Sequence, residues 1–387
     1  MYLIAVDEAG YGPKLGPLIV AATCWRLDRS AASELFELLQ ADEGPDVHLP
    51  PLLGSFSPLS QPVNVAGEAI RVDDSKRVFR RTTASAAPLE TLQKILSVAV
   101  QLCRSQPPVR VNPEAPASEW PALVRHWIGN DADVVRQTPW LAGLVQPELW
   151  PRGVASNLFD AAASREALTQ WQAMPWHLQA VRARIITADR FNHFCDAEKS
   201  GGRSANKSDL LSETSLGLVA DYLRSTLSPA ADPLPAGAVS KGMADEIHDA
   251  PQRGWVFFDR HGGRRYYASV LQHIFPDCQI EVLEETPRRS VYRVSSDAID
   301  LTCHFTVQGD SFAPVALASL HAKYVRELAM ACLNQFFHDA WRDWPSSVED
   351  PPKPTAGYPV DADRYLAEIQ PLWATLSASC PDLVRCR

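Results

Sequence analysis

Tyr2-Leu3-Ile4-Ala5-Val6-Asp7-Glu8-Ala9-Gly10-Tyr11-Gly12-Pro13-Lys14-Leu15-Gly16-Pro17-Leu18-Ile19-Val20-Ala21-Ala22 is the stretch on which the reading of this chain turns. Residues 2–7 form a short apolar run that ends in acid, and Gly10, Gly12 and Pro13 then break the pattern. Residues 17–27 are a second run, rich in Ile, Val, Ala and Thr. Two strands joined by a glycine-bearing turn are the natural reading. Asp7 and Glu8 are successive, so on a regular strand they point to opposite faces. If the strand ends there, a turn at Gly10 lets both reach one site.

Outward from this hairpin, strand and helix patterns alternate. Helical spacing is expected over residues 31–41, 89–102, 208–223, 315–337 and 362–377, with a further helix over 264–274. Strands are expected at 184–188, 255–258, 279–283, 291–294 and 301–307. Residues 45–62, dense in Pro, Gly and Ser, read as a surface loop, and residues 230–238 as a Pro/Ala linker. Residues 107–176 are rich in Pro and Trp with weak helical pieces, which suggests an insertion or subdomain. Its Trp120, Trp127, Trp140 and Trp150 build a core or a partner-binding face, and the core is the preferred reading. Interleaved strands and helices argue for an α/β layered fold.

The chain has 387 residues, of which 46% are hydrophobic and 21% charged, enough apolar content for a substantial core. No apolar run approaches the roughly 20 residues of a membrane span. The first residues carry no basic region or small-residue cleavage site, so a cytoplasmic protein is expected. The 8 cysteines are scattered with no Cys-x-x-Cys pair, and all are read as reduced thiols. Cys380 and Cys386 lack the partners of a zinc site. A net charge of −9 counts against a nucleic-acid role unless local Arg and Lys clusters supply the binding face. A metal-ion nuclease must itself concentrate carboxylates, and bound cations then reverse the local sign.

Asp259 follows Trp255-Val256-Phe257-Phe258 and precedes Arg260-His261-Gly262-Gly263, a strand end running into a flexible turn. Asp310 sits at Gln308-Gly309-Asp310, after a strand and before a helix. With Asp7 and Glu8, these acids lie at strand ends beside glycine and are able to converge at one edge of a sheet. Hard oxygen ligands suit Mg²⁺ or Mn²⁺, and two such ions about 4 Å apart activate water and stabilise the leaving oxygen of a phosphodiester displacement. Taken singly, an acid at a strand end is a turn former or helix cap, and spacing alone leaves that reading open.

The segment from Val6 to Ala22 resembles the N-terminal signature of type 2 ribonucleases H, especially bacterial ribonuclease HII. Further pieces occur in that family's order. Asp74-Ser75-Lys76 is similar to its D-S-K segment. Gly309-Asp310, then Ala318-Ser319-Leu320-His321-Ala322-Lys323-Tyr324-Val325-Arg326-Glu327, resembles its G-D…A-S-x-x-A-K-x-x-R-D stretch, and Thr355-Ala356-Gly357-Tyr358 its C-terminal turn. Long unmatched segments lie between, chiefly 107–180 and 228–253. The resemblance implies a ribonuclease H-like mixed sheet flanked by helices, one domain over residues 1–387, with 107–180 inserted and a C-terminal helical extension, 340–387, carrying Tyr358. It implies a metal-dependent endonuclease hydrolysing the RNA strand of RNA–DNA hybrids, or cutting at ribonucleotides embedded in duplex DNA, to leave 3′-hydroxyl and 5′-phosphate ends. Asp7, Glu8, Asp259 and Asp310 would be catalytic metal ligands for Mg²⁺ or Mn²⁺. Gly10, Tyr11, Gly12, Ser75, Lys76, Lys323, Arg326 and Tyr358 would contact substrate, Tyr358 by stacking on the sugar beside the scissile linkage.

The sequence also departs from the family. Its G-R-G turn is Gly10-Tyr11-Gly12 here, so main-chain contacts survive while a positive charge is lost. The usual Asp-Gly at the third carboxylate is Asp259-Arg260-His261-Gly262-Gly263-Arg264-Arg265, whose arginines read as phosphate contacts or as a solvated turn. His261 reads as a turn residue rather than a proton carrier, and His321 as packing. Lys323 and Arg326 read as substrate contacts or as ion pairs on a solvated helix face. The alternative of another class is a catalytically inactive member that binds hybrids or a protein partner; retained acids beside phosphate argue against it. A junction resolvase lacks the glycine-turn signature and Tyr358. No phosphate-binding G-x-x-x-x-G-K-[ST] loop or G-x-G-x-x-G turn supports a nucleotide-binding protein.

Overall fold

A computed structural model describes residues 1–40, 54–79, 88–103, 119–160, 162–196, 206–227, 251–344, 350–376 and 381–386. The expected linker at 230–238, the first half of the loop at 45–62, and Cys380 lie outside these residues.

The apolar runs near the start form β1 (Tyr2–Ala9) and β2 (Leu18–Leu27), paired antiparallel as expected. Val63–Val65 (β3) and Glu68–Ile70 (β4) make a separate small hairpin. The main sheet adds β5 (Trp176–Ile186), β6 (Gln252–Asp259), β7 (Gln279–Glu285), β8 (Arg289–Ser295) and β9 (Ile299–Thr306). Its order is β5-β2-β1-β6-β9-β8-β7. β1, β6 and β9 run parallel at the centre, and the outer pairs are antiparallel. The carboxyl ends of the central strands therefore open at one end of the sheet, where α/β folds place their sites.

Alternation along β1 divides the core in two. Leu3 and Ala5 join one cluster, with Val315, Ala322 and Leu328 of the long helix Ala313–Arg342. Ile4 and Val6 join the other, with Leu211 and Leu218 of the helix Lys207–Leu227 and Leu271 of the helix Ala268–Ile274. A sheet covered on both faces needs strands apolar at nearly every position, which is what Leu18-Ile19-Val20-Ala21-Ala22 supplies. The expected mixed sheet flanked by helices is present. The tryptophans of the Pro/Trp-rich stretch join the sheet's own core: Trp120, Trp127, Trp140 and Trp150 are all buried in the cluster that holds Leu3. Among the described residues no helix is long and apolar enough to cross a membrane.

The remaining helical patterns appear as Arg29–Gln40, Pro88–Leu102 and Pro359–Leu376. Three boundaries differ from the sequence reading. The strand expected at 184–188 begins at Trp176, so the last residues of the 107–180 segment belong to the sheet. It ends at Ile186, because Thr187 accepts the Arg190 N–H at 3.4 Å and caps a helix, Ala188–Cys195. The helix expected from Arg264 starts at Ala268, because the Tyr267 N–H is drawn to the Tyr292 hydroxyl at 2.9 Å instead.

Candidate active site at the carboxyl ends of the central strands

β1 does not stop at Asp7. Asp7 pairs with Ala21, Glu8 with Val20 and Ala9 with Ile19, so the ladder holds until Gly10 turns away at φ +92°. Asp7 keeps the parity of Leu3 and Ala5, and Glu8 that of Ile4 and Val6. Their carboxyl groups nevertheless share a hydrogen bond, and the Glu8 N–H donates to Asp7 Oδ1 at 2.8 Å. Asp259 closes the neighbouring parallel strand β6, and its carboxylate accepts the Gly309 N–H at 2.9 Å. A Cβ at Gly309 would fall 2.9 Å from the Phe258 carbonyl oxygen, so only glycine brings the two chains this close. Asp310 comes next on the single turn Gly309–Ser311, which Gln308 enters with the left-handed φ of 61°.

Asp7, Glu8 and Asp259 act on one another, and Asp259 acts on Asp310. Burial pushes the Asp7 carboxyl well up, and the negative charges of Glu8 and Asp259 push it further. Glu8 is pushed up to about 7 by burial and by Asp259, against the Asp7 hydrogen bond and the Lys76 charge. Burial also raises Asp259, offset by N–H donors from Gly309 and Arg260 and by Lys76. Asp310 is raised by burial, then by Asp259 and Asp74, with Lys76 opposing. Among the described residues no three His, Cys, Asp or Glu side chains are drawn close enough to hold a metal ion. The donor chemistry fits a hard divalent cation all the same. These are anionic oxygens held near one another against their mutual repulsion, and such a cation relieves that repulsion.

Lys76 faces the cluster from the short helix Ser75–Val78, which Asp74 caps by accepting the Lys76 N–H at 2.8 Å. The Ser75 hydroxyl lies 3.1 Å from that of Ser319 on the long helix, and the buried Ser319 hydroxyl bonds the Asp7 carboxyl. Ser319 and Asp74 carry no role in the sequence reading. Both lie inside motifs quoted there, and the signal available was the position of Ser319 one turn before Lys323 on the same helix.

The glycine turn is tied to the Thr355–Tyr358 turn. Lys14 and Leu15 donate their N–H groups to the Gly357 carbonyl at 2.8 and 3.1 Å. Gly357 holds φ at +83°, and a Cβ there would lie 2.5 Å from the Leu15 carbonyl oxygen. Arg326 sits between the turns, only 2% exposed, donating to the Ala356 carbonyl at 2.9 Å and to Glu327 at 3.1 Å. Neither Arg326 nor Lys323 lies on a solvated helix face, because this part of the long helix is covered by both turns and by Phe79. Lys323 does pair with Glu327, at 2.6 Å, while lying 4.5 Å over the Phe79 ring. Tyr358 is 54% exposed, its ring 5.9 Å from the Arg326 guanidinium. A Cβ at Gly12 would meet nothing, so its backbone faces open space. Tyr11 lies against Gly262, where a Cβ would be 3.0 Å from the Tyr11 hydroxyl.

Two of the three arginines after Asp259 are spent on local structure. Arg260 donates to the carbonyls of Pro287 and Thr286, and Arg264 pairs with Asp209 at 2.8 Å. Arg265 and Tyr266 point outward, Tyr266 with 65% exposure. His261 is buried with Nδ1 3.0 Å from the Ser212 hydroxyl, and burial pushes its pKa down to about 3. A neutral, enclosed imidazole bonded to Ser212 packs inside the fold, where the sequence reading had a turn residue. His321 is likewise buried, edge-on to Trp127 with centroids 4.9 Å apart, and burial lowers it to about 4.

The chain is similar to archaeal type 2 ribonucleases H. Ribonuclease H2 from Pyrococcus horikoshii OT3 aligns with 12% identity and a TM-score of 0.36, covering 100% of this chain and 92% of that one. The ribonuclease HII in the PCNA:RNase HII complex from Archaeoglobus fulgidus aligns with 13% identity and a TM-score of 0.35, covering 100% of this chain and 95% of that one. No family model matches the chain, and no curated protein matches it in sequence.

Proposed function

We propose that this chain is a divalent-metal-dependent endonuclease that cuts the RNA strand of RNA–DNA hybrids, or ribonucleotides embedded in duplex DNA. The observation that carries this reading is the placement of Asp7 and Glu8 at the end of β1 and of Asp259 at the end of the neighbouring parallel β6, with Asp310 on the turn whose Gly309 N–H bonds the Asp259 carboxylate, and with Lys76 facing them. Those four acids would hold Mg²⁺ or Mn²⁺, which when bound supplies positive charge at the scissile phosphate and makes water a competent nucleophile at neutral pH. The chain's own groups do the rest. Lys76 meets a neighbouring phosphate, and Ser75 and Ser319 orient the Asp7 carboxyl. The exposed backbone at Gly12 contacts the ribose hydroxyl, and Tyr358 stacks on the adjoining sugar–base unit. Arg326 acts indirectly, by fixing the distance between these last two elements. Lys323 lies beside it, with its charge shared with Glu327 and Phe79. On this reading residues 1–387 are one catalytic unit, and the helical part after residue 340 brings Tyr358 to the site.

A catalytically inactive, hybrid-binding chain is the second reading, favoured by the spread of the four acids, which among the described residues form no preformed ligand cage. Asp259→Asn and Asp310→Asn distinguish the two. On the nuclease reading each variant loses at least about 100-fold in cleavage rate while hybrid binding in EDTA is kept. Native-rate cleavage by either variant removes the site assignment, and a wild-type protein that binds without cutting establishes the second reading.

A further inference from the structure

Residues 381–386 return to the glycine turn. Val384 bridges to Leu15, the Arg385 N–H donates to the Lys14 carbonyl at 3.0 Å, and the Arg385 guanidinium donates to the Pro13 carbonyl. This strap lies on the helix Ala188–Cys195, where Asn192 holds it three times. Its amide nitrogen donates to Asp382 and to the Val384 carbonyl, both at 2.8 Å, and its oxygen accepts the Cys386 N–H at 2.6 Å. Cys195 is three residues past Asn192 and so on the same helix face. The Cys195 and Cys386 thiols consequently meet and share a hydrogen bond. Cys386 is exposed and Cys195 half-buried, whereas Cys24, Cys103, Cys303 and Cys332 are buried in the core.

We propose that Cys195 and Cys386 form a disulfide by exchange with a small-molecule disulfide, fastening the 381–386 strap beneath the glycine turn. This bond is independent of whether the chain is a nuclease. Thiols held in hydrogen-bonding contact, with Asn192 fixing the Cys386 backbone against the helix that carries Cys195, need little movement to reach the geometry of a disulfide. The exposed Cys386 thiolate attacks one sulfur of the small disulfide, giving a mixed disulfide and releasing one small thiolate. Cys195 then gives its proton to solvent and attacks the Cys386 sulfur, breaking the mixed disulfide and releasing the second small thiolate. Both released thiolates take up protons, so two protein thiols are oxidised and one small disulfide is reduced to two thiols. The new bond closes the long loop between residues 195 and 386, which constrains the unfolded chain and ties down Pro13–Leu15 in the native one.

The test is incubation of the full chain with oxidised glutathione, then intact-mass and peptide mass spectrometry and amide hydrogen exchange. The expected product is two hydrogens lighter than the reduced chain, with Cys195 joined to Cys386. It unfolds several degrees higher, and exchange at Lys14, Leu15 and Arg385 slows by about tenfold or more. Cys195→Ser and Cys386→Ser each abolish all of these changes, while Cys278→Ser keeps them; thermal melts of the reduced variants confirm that they fold. Glutathione retained on Cys386 with no internal bond, no reaction at all, or an unchanged response in Cys195→Ser would each overturn the proposal.

Discussion

The hydroxyl of Ser319, buried in the long helix, lies 3.1 Å from that of Ser75, within hydrogen-bonding distance, and bonds the Asp7 carboxyl. It joins the Asp74-Ser75-Lys76 segment to the acid at the end of β1, although the two serines are 244 residues apart. Ser319→Ala removes the hydrogen bond that opposes protonation of Asp7. We expect divalent-ion affinity to fall about fivefold, the equivalent of one net hydrogen bond. The rate at saturating metal should stay within about twofold of wild type, because Ser319 touches no substrate. Mn²⁺ titration by calorimetry, alongside rates at saturating metal, reads both.

Glu8 gives the site a pH signature. Its carboxyl is raised from 4.5 to about 7 by burial and the Asp259 charge, so the fold favours the protonated form. That contribution to stability is complete below 4.5 and is lost as pH rises through about 7. The metal-free protein should therefore melt at lower temperature as pH climbs across this window. Added Mg²⁺ should reverse the trend, because metal displaces the proton. Thermal melts in EDTA and in Mg²⁺ across the window measure this, and Glu8→Gln should make the EDTA profile shallower, leaving the part due to Asp7.

Gly10 and Gly12 separate structure from substrate contact. Gly10 has φ +92° and would place a Cβ 2.7 Å from the Pro17 carbonyl oxygen and from Arg326 Nε. Gly10→Ala should cost about 2–3 kcal/mol of stability. A Cβ at Gly12 meets nothing, so Gly12→Ala should leave stability within about 0.5 kcal/mol. If the Gly12 backbone meets the ribose, that same variant raises KM. Urea denaturation and steady-state kinetics on a ribonucleotide-bearing duplex distinguish the two effects.

Much of the fold was legible because β1, β2 and β6 are apolar runs that end beside Gly10, at Asp28 and at Asp259. The residues that sequence reasoning misplaced were governed by contacts distant in sequence. β1 runs past Asp7 because Ala9 finds Ile19 on β2, and the Ala268–Ile274 helix starts late because Tyr292 takes the Tyr267 N–H. The His177 and Gln179 positions of β5 alternate with buried Trp176, Leu178 and Ala180, a two-residue period that the Pro/Trp-rich composition upstream obscured. At the site, the motifs named the acids, which lie at the ends of β1 and β6 and on the turn after β9. They could not show that Arg326 would be buried as a clasp between two turns, because that depends on Gly10 and Gly357 meeting the same guanidinium.

Tyr358 offers the cleanest probe of substrate choice. Half its surface is open, so Tyr358→Ala should change stability by less than about 0.5 kcal/mol. Loss of a stacking platform is worth about 1–3 kcal/mol, so KM for a ribonucleotide-bearing duplex should rise by about tenfold. Tyr358→Phe should retain nearly all activity, and a loss in Phe equal to that in Ala would assign the role to the hydroxyl.

The most direct test of the central claim is cleavage of a labelled duplex carrying one ribonucleotide, beside a long RNA–DNA hybrid and an all-DNA duplex, with Mg²⁺, Mn²⁺ or EDTA. The predicted result is metal-dependent cutting of the ribonucleotide-bearing strands only, lost in Asp259→Asn, with the ratio of the first two substrates reporting the effect of Tyr11. Cutting of the all-DNA duplex at a comparable rate, or no cutting with either metal, would contradict it.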